Sequence, residues 1–184
     1  MKPMMRKMFA NLTALVAGAS LLVGVAACSP VAASDTASAT ASASATATAS
    51  AAASEPRIHP VSGLAVIPLT VVTSSGPHAF QVEVAASERE QARGLMFRTT
   101  MGADEGMIFP MNPPRPAAFW MRNTVIGLDI IFIGPDHKVL NIAANAVPYD
   151  ETPLPSAGDA AGVLELNAGR AAQIGLKPGD TVNW

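Results

Sequence analysis

The sequence predicts a mainly β domain, a β-rich α+β fold resembling a compact sandwich or barrel, with two short helices, over residues 61–184. Three observations predict it. Short apolar runs recur at close spacing, each bounded by Gly, Pro, Asn, Asp or Ser. Alternating and continuous apolar runs of strand length outnumber helical ones. Only two stretches carry helix-start chemistry.

The elements follow in order. "LAVIPLTVV" (Leu64 to Val72) and "HAFQVEVAA" (His78 to Ala86) flank "TSSGP" and read as a hairpin. Ser87 and Glu90 form the S-x-x-E pattern that starts a helix, and Gly94 stops it. "GMIFPM", "PAAFWMRN", "LDIIFIG", "KVLNIAANA" and "AGVLELN" read as further strands. "GPDHK" is a turn, with Pro and Asp in favourable places. Asn167 is expected to cap a second helix over "AGRAAQI", closed by Gly175. "KPGD" then turns the chain into a last strand, "DTVNW".

The part before this domain has a different composition. Lys2, Arg6 and Lys7 precede an uncharged, mostly apolar stretch from Met8 to Ala27, the layout of a secretory leader over residues 1–27. It ends Val25-Ala26-Ala27-Cys28, which resembles a lipobox, so Cys28 is expected to be acylated. An uncut transmembrane anchor is the other reading, since about twenty apolar residues can span a bilayer. Residues 28–60 are dominated by Ala, Ser and Thr and read as a flexible tether, too poor in apolar side chains to fold. Both readings put the domain outside the cytoplasm; the lipobox reading has it lipid-anchored to the cell membrane or outer membrane and facing the periplasm.

Cys28 is the only cysteine, which excludes an intrachain disulfide, thiol catalysis and a Cys-zinc site in the domain. Without the leader, nine cations face fourteen acids, a net charge of −5. That balance argues against nucleic acid, whose nonspecific affinity comes from phosphate neutralisation. No nucleotide-binding glycine loop, nucleophile elbow, HExxH or EF-hand pattern is present, and no cofactor is called for.

"ARGLMFR" (Ala92 to Arg98), "GMIF", "FWMRNT", "LDIIFI", "VLELNAG" and "GLKPGD" occur in that order. Together they resemble the bacterial and archaeal family called domain of unknown function 192, from roughly Leu69 to the C-terminus. The resemblance implies a small, β-rich and often exported domain. It implies no catalytic residues, because no activity is established for the family as such. Two positions depart from the family pattern: Arg122 stands where Lys is common, and Gly127 where Pro is.

Candidate site residues come from the chemistry. Strand alternation in "FWMRNT" puts Phe119, Met121 and Asn123 on one face, and Trp120 and Arg122 on the other. An indole beside a guanidinium suits a sugar ring or an anionic group. With Asn123, Thr124, Arg93 and Arg98, this is the expected binding face, for an envelope glycan or an anionic small molecule. Asp129 lies in an apolar run and must be paired or hydrogen-bonded. Its expected partners are the amides of "NTVIG", the Asn123 and Thr124 side chains, or Arg122, so that it fastens the turn. The alternative makes Asp129 and Glu165 the two carboxylates of a polysaccharide hydrolase. A third reading uses Met96, Met107 and Met121 as soft ligands for Cu(I), against the plainer reading that methionines fill core gaps. The function expected from sequence is a noncatalytic binding or accessory module of the cell envelope.

Overall fold

The computed structural model describes residues 57–184. The leader, Cys28 and the tether up to residue 56 lie outside the described residues. Eight strands and two helices follow in order: β1 (Arg57–Ile58), β2 (Ala65–Thr73), β3 (Gly76–Val84), α1 (Glu88–Arg93), β4 (Glu105–Phe119), β5 (Leu128–Ile133), β6 (Val139–Ala146), β7 (Leu154–Asn167), α2 (Arg170–Gln173) and β8 (Thr181–Asn183). The expected β-rich fold with two short helices is what forms. The first strand lies ahead of the expected start at residue 61, because Arg57 and Ile58 pair with Val66 and Ala65.

The strands form one sheet in the order β1-β2-β3-β4-β7-β5-β6, and β8 also pairs with β2. Only β3 and β4 run parallel, and α1 lies in the connection between them. A bridge between Lys138 and Thr181 and the bond from the Val139 amide to the Asp180 carbonyl bring the β6 end towards β8. The sheet therefore curls into a half-barrel.

Curling gives the sheet an inner and an outer apolar layer. Leu69, Val71, Phe80, Val82, Ile108, Ile131, Ile133, Leu164 and Leu166 form one layer, which α2 joins through Ala171. Met107, Phe109, Ile130, Phe132 and Val163 form the other, capped by Leu95 and Met121. The layers alternate residue by residue along β4, β5 and β7, as the pleat requires. All six residues of β5 are buried, because both of its faces are covered.

Local chemistry explains the ends of the elements. The Ser87 hydroxyl accepts from the Glu90 amide, while the Glu90 carboxylate accepts from the Ser87 amide at 2.8 Å, so the capping box forms as expected. Gly94 ends α1 at φ 47°, and a Cβ there would sit 3.3 Å from the Phe109 ring. The second helix starts differently from the expectation. Its N-cap is Gly169, while Asn167 remains in β7 and donates its side-chain amide to the carbonyls of Met101 and Gly102. Two expected strands, "GMIFPM" and "PAAFWMRN", are instead one long β4, whose pairing with β7 shifts register between Pro110 and Arg115 and again before Ala118. The Arg115–Phe119 part of β4 pairs with the first half of β7, a ribbon that the sequence reading missed.

Candidate functional site

The strand expected through "FWMRNT" stops at Phe119. Trp120 to Thr124 form a turn in which Asn123 takes φ 53°. The amide of Met121 donates to Asp150, and the amide of Tyr149 donates to Met121 and Thr124. The Asn123 carbonyl accepts from Phe97. The bend is thus anchored by neighbouring backbone. Met121 points into the core, whereas Trp120 remains 47% exposed. The Arg122 guanidinium carbon lies over the indole, 5.3 Å from its centroid. Trp120 and Arg122 do meet, through turn geometry rather than strand pleat.

Arg122 is already occupied. Its Nε lies 3.5 Å from a Glu151 carboxylate oxygen, with both side chains about half exposed. Such a pair contributes at most about 1 kcal/mol, but it places Arg122 against the indole rather than over a ligand site. Asn123 is exposed and sends its amide to the Met96 sulfur at 3.8 Å. Thr124 is buried and donates to the Arg122 carbonyl.

Trp120 borders a cavity of about 340 Å³. One wall comes from the end of α1 and the following loop, including Arg93, Leu95 and Met96. The other comes from β4, including Phe109, Arg115 and Phe119, which stack edge to face in the pair Phe109–Phe119 at 5.0 Å. Arg93 and Arg115 are exposed and make no ion pair among the described residues. Arg93 was expected at the binding face, and Arg115 joins it there from β4. Nothing local marks Arg115, because the ribbon that carries it to the cavity depends on pairing with distant Asp159 and Ala160.

Glu165 lines the same cavity. It pairs with Met107 of β4 and Ile130 of β5, so its side chain lies on the face of Phe109 and Phe132. It is 5% exposed and accepts no hydrogen bond from any described residue. Burial pushes its carboxyl up to about 8.

The other buried carboxylates are satisfied. Asp129 accepts from the amides of Asn145 at 2.8 Å, Gly169 at 3.1 Å and Ala171 at 2.8 Å. It fastens the start of α2 and the end of β6, not the "NTVIG" turn, and none of Arg122, Asn123 and Thr124 reaches it. The reason is the pleat: Asp129 pairs with Leu166 and shares its face. For the same reason Asp129 and Glu165 project to opposite faces of the sheet. They cannot flank one bond, and the two-carboxylate hydrolase loses its geometry.

Glu83 is gripped by Arg98 through two bonds, 2.7 and 3.0 Å, and also receives the Ser62 hydroxyl. The Arg98 side chain is 10% exposed. Arg98 therefore ties the loop after α1 to β3 and is not free to hold a ligand, contrary to the sequence expectation. The copper reading meets the core as well. Met107 and Met121 are buried to within 1% and pack among Phe109, Phe132 and Leu128, while Met96 is part of the cavity wall. Thioethers fill apolar gaps there. Among the described residues, no group of three His, Cys, Asp or Glu side chains is placed to hold a metal.

Residues 70–184 match the family model DUF192, described as an uncharacterized ACR. A crystal structure of a protein of unknown function from Novosphingobium aromaticivorans DSM 12444 is 63% identical, with a TM-score of 0.70. The match covers 72% of this chain and 94% of that one. A protein of Sinorhizobium meliloti 1021, provisionally described as a transcription regulator, is 39% identical with a TM-score of 0.63. That match covers 65% of this chain and 94% of the other. No curated protein matches.

Proposed function

The chain belongs to the DUF192 family, and on that premise we propose that its domain is a noncatalytic binding module of the cell envelope. Its ligand is an anionic or sugar-containing molecule held in the cavity beside Trp120. One observation carries the reading: a half-exposed indole borders a cavity of about 340 Å³ that is also lined by two exposed guanidiniums, Arg93 and Arg115, without an ion pair among the described residues. An aromatic wall offers a flat apolar surface to a ring, and guanidiniums grip carboxylate or phosphate oxygens. Arg122 supports the indole from its own side. The leader-like start and the Cys28 context support export and a lipid anchor, with residues 29–56 as the tether.

The regulator description of one relative gives no second reading. Fourteen acids outnumber twelve cations in this chain, the wrong balance for a phosphate backbone.

Native mass spectrometry of the protein purified from its own envelope tests the proposal. The expected result is an acylated Cys28 and a co-purifying small molecule, with Trp120→Ala losing the molecule and keeping the acyl group. A molecule retained equally by Trp120→Ala would refute the site, and an unmodified Cys28 would refute the anchor.

A further inference from the structure

We propose that Glu165 selects the ligand: its carboxyl donates a hydrogen bond to an uncharged oxygen, hydroxyl, ether or carbonyl, at the deep end of the cavity, while the ligand's anionic group stays at the mouth with Arg93 and Arg115. This rests on the binding reading above and adds the chemistry of the ligand and the direction in which it lies.

The contrast among buried carboxyls carries the inference. Glu83, Asp129 and Glu165 are all 5% exposed or less. Glu83 has a two-pronged Arg98, and Asp129 has three backbone amides. Glu165 has no partner among the described residues, and it alone of the three lines this cavity. Buried polar groups are satisfied in the great majority of native structures. The Glu165 carboxyl oxygens are not among the fully sealed, unpartnered atoms, so what they meet is the space that Glu165 lines.

The chemistry of that partner follows from its surroundings. Across the sheet Glu165 meets Met107 and Ile130, and the walls offer Phe109, Phe119 and Leu95. A carboxyl in such a setting keeps its proton, because ionising it without a counter-charge is costly. In that form it is an O–H donor as well as an acceptor. A ligand cation would have to pass Arg93 and Arg115, which besides Glu165 are the titratable groups lining the cavity among the described residues. A change in affinity between pH 6 and 10 that Glu165→Gln removes, for a ligand that does not titrate there, belongs to Glu165.

The probe is D-glucuronate, a hydroxyl-bearing ring with one carboxylate. Its binding to the full chain is followed by calorimetry from pH 6 to 10, with D-glucosamine, compared at pH 6 where its amine is protonated, as the cationic comparator. The expected affinity is level at low pH and declines above about 8, approaching tenfold per unit as the donor is lost. Glu165→Gln keeps an N–H donor, so it should bind with a flat profile. Glu165→Leu should bind at least tenfold more weakly, with its fold checked by circular dichroism. Affinity that rises with pH, a preference for glucosamine, or a Glu165→Gln profile that copies the wild type would overturn the inference. Binding that needs Trp120 and Arg93 but ignores every Glu165 variant sinks Glu165's role and leaves the binding reading standing. No glucuronate binding by the wild type at any pH sinks both.

Discussion

Glu165→Gln should abolish a loss of stability that the wild-type domain suffers as pH rises from 5 to 8. Burial raises the folded-state pKa from the ordinary 4.5 to about 8, whereas the unfolded chain keeps the ordinary value. Between those values the native state holds a proton that the unfolded chain has released. Stability therefore falls as pH rises, by about 1.4 kcal/mol per unit. The contribution is complete below the unfolded value and gone above the folded one. A span of roughly 3.5 units corresponds to a change of about 5 kcal/mol. Glu165 is only 5% exposed, so solvent screening removes little of it. That change rivals the whole stability of a small domain, about 5–15 kcal/mol. Urea unfolding followed by circular dichroism at pH 5, 6, 7, 8 and 9, for wild type and Glu165→Gln, gives the difference directly. The difference should grow in favour of Gln by about 1.4 kcal/mol per unit up to pH 8 and then level off. Parallel curves would mean that Glu165 ionises normally, and the account of a buried carboxyl without a partner among the described residues would be wrong.

Other perturbations test other parts of the structure. Arg98→Ala strands the buried Glu83 carboxylate and should cost about 3–5 kcal/mol in urea unfolding; a change under about 0.5 kcal/mol would show that the pair is loose. Gly106→Ala places a Cβ 2.6 Å from the Glu165 carbonyl oxygen, a backbone atom that cannot swing aside. The expected loss is about 1–3 kcal/mol or more, read as a lower thermal midpoint, and an unchanged midpoint contradicts the close approach of β4 and β7. Asp129→Asn leaves one oxygen to serve three amides and should destabilise by about 1–3 kcal/mol, with faster amide exchange at Gly169 and Ala171. If exchange there does not change, Asp129 is not the fastener of α2. Trp120→Ala, at a half-exposed site, should lower stability by less than about 1.5 kcal/mol and so separate binding from folding.

Periodicity, turn residues and caps are local, and they were legible. The hairpin of β2 and β3, the capping box at Ser87, the buried run of β5 and the two short helices need only short-range chemistry. The same holds for the juxtaposition of Trp120 and Arg122, two residues apart in one turn. Long-range pairing decided the rest. The register between β5 and β7 sends Asp129 and Glu165 to opposite faces, a distinction that two similar apolar contexts, "GLDIIFIG" and "GVLELN", cannot express. Arg98 was spent on Glu83, fifteen residues earlier, and Arg122 on Glu151. Arg115 reached the cavity mouth only because β4 and β7 continue into a ribbon past two register shifts.

The amino-acid sequence by itself determined the β2–β3 hairpin, the start and stop of α1 and the buried run of β5, since backbone preference and side-chain period act within a few residues. Only the tertiary structure decided which charges are consumed internally and which carboxyl is left without a partner. Satisfying a buried charge depends on what another strand brings within about 3 Å, and that distance is set by the curl of the sheet.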